Sequence, residues 1–239
     1  MANVYPVQDE LAARLTNVRS RLAEATVGCG RLPDSVKLIA ISKTHPASAI
    51  RTLIELGTTD IGENRVQEAE GKIAEVGRDK AVWHLVGHLQ TNKARRAVRL
   101  FDVIHSLDSV ELARRLDRLC VEEGRGKLAV LIQVDLGHEE TKSGIEESGI
   151  NHLVESVSEL PHLELTGLMT LPPFFEDVEQ SRPFFRRLRQ LRDDLASRGA
   201  FADREGQLSM GMTHDFVVAI EEGATMVRVG TAIFGERDS

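Results

Sequence analysis

Cysteine is scarce in this chain: only Cys29 and Cys120 occur, far apart and outside any CxxC spacing. That pattern excludes a disulfide framework and a thiolate metal cluster, and it fits a reduced, cytoplasmic setting. Long apolar runs are missing too. None approaches the roughly 20 residues that a membrane helix needs, and the opening MANVYPVQDE lacks a basic-then-apolar leader pattern. Positive charge is in deficit, with 30 Lys and Arg against 37 Asp and Glu for a net charge of −7. Nucleic-acid binding draws on clustered cations, so that class is disfavoured while a small anionic ligand is not. Aromatic residues make up 4% of the chain, and Tyr5 is the single tyrosine. No internal repeat or linker-like tract divides the sequence, so residues 1–239 read as one domain.

What is present is an enzyme-like globular composition, 41% hydrophobic and 28% charged over 239 residues. Leu11, Leu15, Val18 and Leu22 recur at spacings of three and four, which predicts an amphipathic helix over about 9–26. From there, short β-branched runs alternate with helical stretches. Strands are predicted from 36, 59, 82, 102, 128, 163, 207 and 226, with helices near 47–56, 65–76, 92–100, 109–123, 146–158, 178–198 and 214–222. Eight strands with their crossovers nearly fill the chain, which points to a single (β/α)8 TIM barrel behind an extra N-terminal helix. An open doubly wound sheet would carry a glycine-rich turn after its first strand, where this chain has ISKTHP.

Barrels place their chemistry where the strands end. At period two, Ile39, Ile41 and Lys43 share a face, so Lys43 ends an apolar strand and points into the barrel mouth. Two readings of Lys43 stand on position alone: a strand-end lysine reaching to water, the commoner case, or an amine whose lost hydration lowers its pKa and frees it to condense with an aldehyde. Met226, Arg228 and Gly230 share a face of the last strand, which aims Arg228 inward, where it must meet an internal carboxylate or a ligand acceptor. Loops after strands seven and eight commonly seat a phosphate, and here they read SMGMT (209–213) and GTAIFG (230–235). Ser209, Met210, Gly211, Gly230 and Thr231 therefore form a candidate anion cradle, although the glycines could equally make tight turns. Asn64 and His84, near the ends of strands two and three, are further candidates for the mouth, alongside Gln90, Asn92 and Met169. Lys142 and Gly144 mark a polar loop after strand five.

The ordered motifs IAISKT, GENRVQE, WHLVGHLQTNK, TKSG, GLMT and SMGMTHDFVVAIEEGATMVRVGTAIFG closely resemble the pyridoxal phosphate (PLP) homeostasis protein family, which has the alanine racemase N-terminal-domain type of barrel. The resemblance runs from the first strand to the last residues. It implies a fold-type III PLP barrel with the cofactor held as a Schiff base on Lys43. It further implies phosphate contacts from the 209–211 turn and from Gly230 and Thr231, Arg228 facing the pyridine nitrogen, and Asn64, His84 and Met169 lining the pocket. Thr213 stands where serine is frequent in the family, and Ala224 replaces the serine of its usual GST, removing a hydroxyl.

An arginine opposite the pyridine nitrogen disfavours ring protonation, because two cations would meet at hydrogen-bond distance. The ring is then a weak electron sink, which suits a carrier or buffer of intracellular PLP and amino-acid balance better than an enzyme. PLP-dependent apo-enzymes are the expected transient recipients, and a monomer is expected. The rival reading is a PLP-dependent amino-acid racemase, which needs a second base opposite Lys43. Similar racemases use a tyrosine there; Tyr5 precedes the barrel, which leaves a histidine such as His84. A Schiff-base aldolase without cofactor is a third class, and no metal site is expected.

Overall fold

A computed structural model describes residues 8–137, 143–203 and 205–235; Tyr5 and Lys142 lie outside them. Eight parallel strands close into one barrel in sequence order: β1 (Lys37–Ile41), β2 (Asp60–Glu63), β3 (Val82–Leu85), β4 (Val103–Leu107), β5 (Leu128–Gln133), β6 (Leu163–Met169), β7 (Gln207–Met212) and β8 (Met226–Val229), with β8 pairing back onto β1. Every strand predicted from the alternation is present. The outer ring comprises α2 (Ala47–Glu55), α3 (Val66–Val76), α4 (Ala94–Leu100), α5 (Val110–Glu122), α6 (Ile150–Ser158), α7 (Arg182–Ser197) and α8 (Phe216–Glu221). The chain is thus a (β/α)8 barrel.

The helix preceding the barrel, α1 (Gln8–Gly28), buries Leu11, Leu15, Val18 and Leu22, the stripe that its spacing predicts. It packs against α8 and a short last helix, α9 (Thr231–Phe234), where Arg14 Nη1 donates to Phe234 O at 3.2 Å. That last helix occupies the GTAIFG stretch (230–235) read from sequence as a candidate anion cradle.

Two layers of side chains hold the barrel. The outward-facing layer between strands and helices is one continuous apolar core that includes Trp83, Phe101, Phe185 and Phe216. Inside the barrel, the apolar filling is a separate small cluster of Ile39, Ile41, Val86 and Met226. Gly62 makes room for it, since a Cβ there would lie 2.4 Å from Ile41 Cδ1. The remaining interior is polar, and Asp60, His84, His105, Ser209 and Arg228 are all buried in it.

The strand pairing is irregular where it shapes the mouth. Between β7 and β8, Ser209 pairs with Met226 but Met212 pairs with Arg228, so β7 carries one extra residue. Gly211 absorbs the bulge at φ +90, a conformation open mainly to glycine. Its position is also too close for a side chain, because a Cβ would come within 2.6 Å of Ala219 Cβ.

Candidate functional site

A cavity of about 380 Å3 opens at the C-terminal ends of the strands. Lys43 reaches it from the end of β1, Asn64 from the end of β2, Arg228 from β8, and Gly230 and Thr231 from the turn into α9. Five of the ten residues that the family resemblance assigns to the cofactor site therefore converge there. His45, Thr213, His214, Met212, Leu171 and Phe174 complete much of the wall, with Ile41 and Val86 at its floor. Carboxylates are absent from the lining residues, while an amine, a guanidinium, two threonines and two histidines are present. Such a donor set suits an anion.

The other five candidates sit behind this wall. Met169 and Met210 are fully buried, and Gly211 forms the β7 bulge. His84 is buried between Asp60 Oδ1, 3.0 Å from its Nε2, and His105 Nε2, 2.9 Å from its Nδ1. Ser209 accepts from Arg228 Nη1 at 2.6 Å and lies 2.9 Å from His105 Nδ1. Gln90 borders a neighbouring recess with Arg65, His88 and Lys93, which shares Asn64 with the main cavity.

The backbone around Lys43 is clamped on both sides. Ser42 O accepts from Lys72 Nζ at 2.6 Å, and Ser42 Oγ donates to Glu63 Oε1 at 2.5 Å. On the far side, Thr44 N donates to Glu68 Oε1 at 2.5 Å. Lys72 joins the two acids, 2.6 Å from Glu63 and 2.7 Å from Glu68. Thr44 is held at φ +68, the one non-glycine residue among those described with a left-handed backbone. This costs on the order of 1–3 kcal/mol and persists because the clamp over-determines it. Burial pushes the Glu63 carboxyl up, against the pull of Lys72. Sequence reading missed this cluster, although Glu63 and Glu68 belong to the quoted GENRVQE motif and Lys72 lies one helical turn beyond it.

Arg228 is buried at the floor of the site, and Nη2 donates to Thr170 O at 2.9 Å. Among the described residues, no carboxylate makes an ion pair with it. Burial pushes its pKa down to about 10, which leaves it charged at neutral pH. Asn64 is fixed from behind: Gly87 packs so closely that a Cβ would meet Asn64 O at 2.3 Å.

Comparison with known proteins agrees with this fold. The family model described as alanine racemase, N-terminal domain, matches residues 13–238. A pyridoxal phosphate homeostasis protein of Aquifex aeolicus is 44% identical over 94% of this chain and 97% of its own. Its namesake in Escherichia coli K12 is 41% identical over 96% of this chain and 98% of its own. PipY of Synechococcus elongatus, solved with PLP bound, superposes with a TM-score of 0.82 at 40% identity, covering 94% of this chain and all of that one. With the barrel fold and similarity over 94–96% of its length to these relatives, the chain belongs to the pyridoxal phosphate homeostasis protein family, built on the alanine racemase N-terminal-domain fold.

Proposed function

We propose that the chain binds PLP in the cavity at the barrel mouth and serves intracellular PLP and amino-acid homeostasis as a carrier or buffer. One observation carries this reading: Lys43, Arg228, Gly230 and Thr231 line a single cavity that carries no carboxylate. Its volume falls in the roughly 300–1,000 Å3 range of small-molecule sites. A phosphate would find the backbone of Gly230 and Thr231 and the Thr213 and Thr231 hydroxyls, with Arg228 directed at the ring nitrogen, as the family resemblance implies. Lys43 would hold the group, its amine placed to condense with the aldehyde carbon that PLP would supply, with loss of water. The PLP-bound relative supports the ligand, and the names of the relatives refer to homeostasis rather than catalysis. We further propose a cytoplasmic monomer of one domain, with PLP-dependent apo-enzymes as transient recipients.

Purified protein incubated with PLP is expected to absorb near the visible edge, and borohydride reduction should fix the adduct to a Lys43 peptide. Lys43→Ala should lose the adduct. An adduct at another lysine, or none, would refute the assignment. His84, the histidine that the sequence offered as an opposite base, is buried behind the wall; the racemase reading keeps one foothold in His45 and His214, which line the cavity. Rapid loss of chirality from single-enantiomer alanine would favour it over the carrier.

A further inference from the structure

We propose that His105 and His84 are positioning residues for Arg228, acting through a one-directional hydrogen-bond chain that crosses the barrel interior from Arg228 through Ser209, His105 and His84 to Asp60. The inference rests on the reading of the cavity as a PLP site with Arg228 at its floor. Two proton assignments fit the distances, because Ser209 Oγ can also accept from His105 Nδ1 when His84 carries both its protons; the one-directional assignment is the one proposed. Arginine can only donate, so Ser209 Oγ accepts from Arg228 Nη1 at 2.6 Å. The serine then has a single hydrogen, which goes to His105 Nδ1 at 2.9 Å. With Nδ1 accepting, neutral His105 carries its proton on Nε2 and donates it to His84 Nδ1 at 2.9 Å. By the same logic, His84 is protonated on Nε2 and donates to Asp60 Oδ1 at 3.0 Å.

The two ends set the direction. At one end lies a buried cation. At the other, burial would raise the Asp60 carboxyl, but hydrogen bonds from His84, Thr59 and Lys37 and the charge of Lys37 outweigh it, holding Asp60 at about 2. Burial pushes His105 well below the ordinary imidazole range, so this ring stays neutral between Ser209 and His84. With Nη1 tied to Ser209 and Nη2 to Thr170 O, the guanidinium has its orientation fixed from behind while it lines the cavity. Because His84, His105 and Ser209 are fully buried behind the wall, their effect on a cavity ligand must pass through Arg228. Interior filling alone would be served as well by apolar residues, as it usually is in such barrels; a directed chain would not.

The test has two arms. Nitrogen-15 correlation spectra of the ligand-free protein are expected to show both rings neutral with the proton on Nε2; a proton on Nδ1 of either ring overturns the chain. In PLP titrations, Ser209→Ala and His105→Leu should each bind about tenfold more weakly than wild type with a shifted absorbance maximum, the scale of loss seen when a supporting hydrogen-bond partner is removed. Ser209→Thr and His105→Gln, which keep a donor and an acceptor in place, should recover most of the affinity. Should His105→Leu fail to fold, the serine pair decides the matter. Expected tautomers with unchanged affinity and spectrum in folded variants overturn the positioning role alone. A wild-type protein that takes up no PLP overturns the cavity reading as well.

Discussion

Charge inside the barrel is tolerated residue by residue, because each buried ionic group meets a named partner. Asp60 shows the consequence for pH. Its pKa is depressed from 3.8 to about 2, so its stabilisation is fully present above about pH 4 and lost as pH falls through about 2. By linkage this amounts to roughly 2 kcal/mol. Urea unfolding between pH 2 and 5 should therefore show a flatter pH dependence for Asp60→Asn than for wild type in that window. Lys72 makes the opposite case, since it is the cation that keeps Glu63 tolerable without water. Lys72→Met should cost about 3–5 kcal/mol, as expected when one member of a buried pair is removed. The deficit should shrink as pH falls, because burial already raises the Glu63 carboxyl and a protonated Glu63 needs no cation. Adding Glu63→Gln should restore part of the loss in denaturant melts.

Elements are set by close backbone approaches as much as by side-chain packing. At Gly167 in β6 a Cβ would lie 2.1 Å from Gln207 O, so Gly167→Ala must push β6 and β7 apart. A thermal shift scan should record a loss of at least about 1–3 kcal/mol, in the range of overpacked cores. Gly87 matters differently, because the backbone it touches is that of Asn64 at the cavity wall. Gly87→Ala is expected to weaken PLP uptake more than it lowers the melting temperature; the reverse ranking would remove Asn64 from the site. Periodicity predicted the strands and the larger helices well, because most strands are short apolar runs between turn residues. It did not predict α9, whose four residues are too few for a period to register. Nor did it predict the β7 bulge, since the extra residue is defined only against β8.

For the whole molecule, ligand binding and folding are one equilibrium. If PLP binds only the folded barrel, a hundredfold excess over Kd should add about 2.7 kcal/mol. For a chain of this size that corresponds to a rise in melting temperature of about 5–10 °C. Lys43→Ala should show a smaller rise than wild type, and an equal rise would separate stabilisation from the covalent link. No described helix is long and apolar enough to cross a membrane.

The sequence by itself determined the barrel and brought Lys43, Asn64, Arg228, Gly230 and Thr231 to notice, because strand order and strand-end position are local properties of the chain. Only the tertiary structure decided that His84 and Ser209 stand behind the cavity rather than on its wall. Asp60, His84, His105, Ser209 and Arg228 come from five different strands. Closure of the barrel and its bulged registers bring their side chains within hydrogen-bond distance, and no pattern along one segment encodes a contact across the interior.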